Sequence, residues 1–135
     1  MKLQKHELAA SDAEHVLNML TLTRGANAAD LIPAAERLCK CHVLSRRWVE
    51  ARDALGIAHR ISLARHGADH RDTLFSKRAL AFFHKQYLGD AAAGVAMLRE
   101  VVAACARNPE LGREYKHPDL PQSFAAQLAE WERAL

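Results

Sequence analysis

Three clusters of residues have types and spacing that could do chemistry. Cys39-Lys40-Cys41-His42 offers two thiols and an imidazole, the soft donors of a zinc-type site. On a helix, however, residues two apart point about 200° away from each other, so Cys39 and Cys41 would not share one ion. Small side chains for burial are the plainer reading of that run. His66 and His70 are four apart, one helical turn, but Gly67 stands between them. His70-Arg71-Asp72 reads better as a turn held by a histidine hydrogen bond, and His117-Pro118-Asp119 repeats it 47 residues later. His42 and His84 occupy equivalent places in two similar segments, with no carboxylate placed to make either a general base.

The motifs that organise catalysis are absent. The chain contains no P-loop, no dinucleotide-binding glycine fingerprint, no His-Glu-x-x-His and no Gly-x-Ser-x-Gly. The expectation is a protein with no catalytic residues, no cofactor and no metal ligands, and hence not an enzyme.

These side chains are positioned by helices. Helix formers dominate and no segment alternates with a period of two, so the whole chain reads as α. A leading helix over 11–24 starts at Ser11 or Asp12, carries Val16, Leu17, Met19, Leu20 and Leu22, and stops at Gly25. A hairpin over 30–67 follows. Asp30 caps its first helix, Ser45-Arg46-Arg47 turn the chain, and the second helix starts near Trp48 with Ala51, Leu55, Ala58 and Ile61 in one stripe. A second hairpin over 72–108 runs from an Asp72 cap through Leu74, Leu80, Phe83 and Tyr87. It turns at Gly89-Asp90 and is stopped by Pro109. A terminal helix lies within 120–135, with Pro118 and Pro121 ahead of it.

Composition agrees with one domain spanning residues 1–135, since 50% of residues are hydrophobic and 26% charged, with 6 Gly and 4 Pro. A chain of this length buries enough surface to fold without disulfides or a structural metal. The 3 cysteines make a poor disulfide framework, and the first fifteen residues lack a signal-peptide core, which points to a reducing, cytoplasmic setting. No apolar run has the length of a membrane span. Lys and Arg number 19 against 16 Asp and Glu, interleaved rather than gathered in a stripe, so a nucleic-acid partner is not expected.

The two hairpins are copies of one template. Leu38 superposes on Leu80, Cys39 on Ala81 and His42 on His84, all 42 apart; Ala51 falls on Gly94, Leu55 on Leu98 and Ala58 on Val101, all 43 apart. With that register the chain resembles the tetratricopeptide repeats of the kinesin light chain type over about residues 30–130. His70, Asp72, Thr73, Ser76, Leu80, Ala81, Gly89 and Leu98 match in the later unit, and Leu38, Trp48, Glu50, Ala51 and Leu55 in the earlier one. The resemblance implies a short α-solenoid of about two and a half hairpins, capped at each end by a single helix or completed by a homodimer. Arg78-Ala79 replaces the paired asparagines with which relatives clamp a peptide backbone.

In such a stack the first helix of each hairpin lines a concave face. The register puts Phe75, Arg78, Phe82 and Lys85 there from the second hairpin and Glu36, Lys40 and Val43 from the first. Two phenylalanines beside two cations suit a groove for an apolar, acidic peptide, or else pack beneath a cap helix. Trp131, between Glu130 and Glu132, marks either a self-association surface or a cap. The expected function is a non-catalytic protein–protein interaction module, a scaffold whose partner is a protein or peptide. The alternatives are a transcription-linked regulator using Arg46, Arg47, Arg52, Arg60 and Arg65, and a small metal-binding or enzymatic helical protein using the eight histidines.

Overall fold

The computed structural model describes residues 2–108, 110–111 and 120–135. It is all-α: the described residues form α1 (Lys2–Arg24), α2 (Leu31–Leu44), α3 (Trp48–His66), α4 (Arg71–Gln86), α5 (Ala91–Arg107) and α6 (Leu120–Ala134), with no strand among them. The chain divides into two compact units, Met1–Gly67 and Ala68–Leu135. In the first, α1 packs on α2 and α2 on α3; in the second, α4 packs on α5 and α5 on α6. The Pro109 stop and the His117-Pro118-Asp119 element lie outside the described residues.

Both hairpins form for the reason their periodicity suggests. Leu31, Ala35, Leu38, Cys39 and His42 are the buried stripe of α2, and Ala51, Ala54, Leu55, Ala58 and Ile61 that of α3. The turn between them closes with Arg47 N–H donating to His42 O at 2.9 Å and Arg46 N–H to Val43 O at 3.0 Å. That geometry holds Arg46 at φ +58°, in the left-handed region where glycine is usual. In the second unit, Leu74, Ala81, Val95, Leu98, Val101 and Ala104 form the centre of a cluster closed by Leu111, Phe124 and Trp131.

One contact sets the spacing of α4 and α5. A methyl on Gly94 would stand 2.8 Å from the carbonyl oxygen of Ala81 and 3.1 Å from Lys85 Cβ. Gly94 stands where the first hairpin has Ala51, and only its bare Cα fits against α4. In the first unit the matching residue, Ala51, is fully buried.

Several boundaries differ from the sequence reading. α1 starts at Lys2 and not at Ser11 or Asp12, since Gln4, Glu7, Leu8, Ala9 and Ala10 are good helix formers and the helix runs through both capping candidates. Its inward face is Ala10, Ala13 and Leu17, whereas Val16, Met19 and Leu22 are exposed, because at 100° per residue one stripe alone can face α2. Asp30 sits at the start of α2 without capping it, its carboxylate pairing with Arg24 at 3.2 Å. Asp72 lies inside α4, and the cap is His70, whose Nδ1 accepts the Asp72 N–H at 3.1 Å. The histidine hydrogen bond expected for this turn is thus present and starts the helix. Asp90 caps α5, accepting from Ala93 N–H at 3.1 Å. α6 begins at Leu120, with Pro121 accommodated in its first turn.

Candidate functional site

Residues 75, 78, 82 and 85 recur at intervals of three and four, so α4 carries them on one stripe. α6 presents the matching pattern in Phe124, Leu128 and Trp131. The two stripes meet within the second unit. The Arg78 guanidinium lies 5.8 Å from the Phe124 ring centroid, and its Nη2 donates to Gln127 Oε1 at 3.3 Å. Lys85 Nζ lies 5.3 Å from the Trp131 ring centroid. Phe82, half-buried, and Leu128 pack against the cluster that holds Phe124 and Trp131. Tyr87 closes one end of the face, edge-on to Phe82 with centroids 5.9 Å apart. On the α5 side, Arg99 Nε donates to Glu132 Oε1 at 3.4 Å.

α6 packs on α5, and long side chains of α4 reach across to it, so that one flank of α6 meets a stripe of mixed apolar and cationic character. Aromatic rings under partly desolvated cations are each worth about 1 kcal/mol beyond their buried area. Phe124 and Trp131 are about 95% buried and hold α6 mainly by apolar burial. One polar group is left over: Arg78 Nε is buried and finds no acceptor among the described residues. A guanidinium that makes one hydrogen bond to a neutral amide while another donor stays buried keeps an uncompensated desolvation cost.

Of the predicted site residues, Arg78, Phe82 and Lys85 thus come together against the chain's own α6. Phe75, on the same stripe, is 43% exposed. Glu36 and Lys40 are exposed one turn apart on α2 in the first unit, and Val43 is half-buried there. The residues that sequence reasoning missed are Phe124, Gln127 and Leu128. Their signal was available in the 124, 128, 131 spacing, the helical complement of the α4 stripe.

His66, His70 and Asp72 bring one ligand atom each within 4.8 Å of one another, a set that could hold a metal ion, whereas the cysteines are tied to the fold. Burial, reinforced by the charge of Glu36, pushes the Cys39 thiol up to about 11, and burial raises Cys105. Both are protonated at neutral pH and so poor nucleophiles and metal ligands. His42 is buried in α2, while Trp48 at the start of α3 is only half-buried. Most of the arginines of the basic middle are engaged. Arg60 holds Asn27 Oδ1 at 2.6 Å and Ala26 O at 3.0 Å, Arg65 holds Asn27 O at 3.3 Å, Arg52 pairs with Asp53 and Arg47 with Glu7.

No helix among the described residues is long and apolar enough to cross a membrane. Compared with family models and with curated proteins, the chain finds no match in either.

Proposed function

We propose that the chain is a non-catalytic, TPR-like protein–protein interaction module whose second unit receives a helical segment of a partner protein on the α4 face. The observation that carries this reading is the pairing of Arg78 with Phe124 and Gln127 and of Lys85 with Trp131, side chains of α4 that already reach a helix packed on α5. Repeat architecture is supported by the two similar hairpins and by the close approach of Gly94 to Ala81 at the position where such repeats pack most tightly. A rigid helical face is a preformed site, so the partner segment bears most of the ordering cost. Three unpaired cysteines suit a cytoplasmic setting.

The test is to pan a library of helical peptides against the full chain and against the Arg78→Glu/Lys85→Glu variant. The reading expects selected peptides to lose at least tenfold in affinity for the variant. Peptides that bind both chains equally well would contradict it.

A further inference from the structure

We propose that α6 is a resident stand-in for the partner, and that the partner is an amphipathic helix of the form Phe-x-x-Glu-Leu-x-x-Trp, which displaces α6 by bringing a carboxylate to Arg78. This inference rests on the helix-receiving role proposed above and specifies its ligand.

The stand-in reproduces the pattern at every position but one. Phe124, Leu128 and Trp131 fill the apolar stripe, and two of them lie under cations of α4. Between them, where Arg78 reaches across, α6 offers Gln127, a neutral amide accepting a single long hydrogen bond of 3.3 Å. Arg78 Nε stays buried with no acceptor among the described residues. A carboxylate has two oxygens and a charge, so it can take Nη2 and Nε together in the fork geometry that guanidinium favours. The neighbouring cation of the face, Lys85, stands over a ring rather than an anion. Lys77, by contrast, is paired with Glu100. The face therefore carries more positive charge than α6 neutralises, and a helix with glutamate at the Gln127 position exceeds the resident at that one contact. Glu132, held by Arg99, shows that acidic residues of α6 already find cations on the neighbouring helix α5.

The experiment uses two fluorescein-labelled synthetic peptides, one with the sequence of residues 120–135 and one with glutamate in place of Gln127. Each is titrated into the full wild-type chain and into a full chain carrying Trp131→Ala, which weakens the tethered helix. The inference expects the glutamate peptide to bind at least tenfold more tightly than its parent. It also expects both peptides to bind the Trp131→Ala chain at least tenfold more tightly than wild type, and Arg78→Gln to abolish the difference between them. Equal affinities of the two peptides, in a Trp131→Ala chain whose far-UV helicity is retained, would overturn it.

Where Trp131→Ala costs the fold, an Arg99→Cys/Glu132→Cys pair joined on oxidation through a short dithiol linker locks α6 in place, the linker spanning the gap that the two longer side chains bridge at their tips. Peptide binding should be lost on oxidation and return on reduction, and a locked chain that binds as tightly as the reduced one would also overturn the inference. The two readings fail separately. Library peptides that depend on Arg78 and Lys85 yet bind the locked chain would leave the interaction role standing and remove displacement. Displacement by the glutamate peptide with no library peptide dependent on those residues would do the reverse.

Discussion

The ammonium of Lys85 stands 5.3 Å from the centroid of the Trp131 ring, joining the last turn of α4 to the last turns of α6. Trp131 is also part of the core of the second unit, so its removal should be costly. Trp131→Ala is expected to destabilise the chain by about 3–5 kcal/mol in urea unfolding. A double-mutant cycle with Lys85→Ala should return a coupling of about 0.5–1 kcal/mol. A coupling of zero would mean that the cation and the ring are merely neighbours.

Gly94 and Gly56 make opposite predictions from the same substitution. Gly94→Ala adds helix propensity but drives a methyl into the Ala81 carbonyl, and backbone cannot swing aside as a flexible side chain would. We expect a net loss of at least 1 kcal/mol. Gly56, inside α3, has nothing within 4 Å of the added methyl, so Gly56→Ala should stabilise by about 0.5–1 kcal/mol. Thermal melts of the two variants check the sign of each.

Arg46 at φ +58° is the one described residue other than glycine with positive φ. Arg46→Gly relieves that backbone and is expected to be stabilising by up to about 1 kcal/mol, with α2 and α3 unchanged by circular dichroism. A destabilised variant would show that the arginine side chain contributes more than its backbone costs.

The Cys39 thiol, raised from 9.0 to about 11 by burial, links the first unit to alkaline pH. Below pH 9 the thiol is protonated in both folded and unfolded chains, and its contribution is fully present. Between pH 9 and 11 the unfolded chain ionises first, so stability falls as pH rises through this window, by up to about 2 kcal/mol. Denaturant midpoints measured across it should show the slope in wild type and a shallower one in Cys39→Ala.

The hairpins were legible because their periodicity is local. Leu38, Leu55, Leu80 and Leu98 lie at helical intervals between strong breakers, and all four are buried. The start of α1 was not, because Ser11 and Asp12 resemble caps only when the helix-forming residues before them are ignored. The His70 cap was half legible: its hydrogen bond could be expected from the turn, whereas which residue begins α4 depends on backbone geometry at Asp72. On α4 the stripe of Arg78, Phe82 and Lys85 could be read in register, but whether its occupant is in the chain or outside it is a question of long-range contact. Spacing alone left both readings open; in this chain the stripe meets Phe124, Leu128 and Trp131 of α6, a helix packed on α5.

The central claim, that the α4 face accepts a helix in exchange for α6, is tested most directly through Trp131 itself. In a Trp48→Phe chain, Trp131 is the only tryptophan left, and it is buried beneath Lys85. Titration with the glutamate peptide, carrying phenylalanine in place of its own tryptophan, should shift the Trp131 emission to the red in a saturable way as α6 leaves. Saturable binding of the same peptide with the Trp131 emission unchanged would contradict the account.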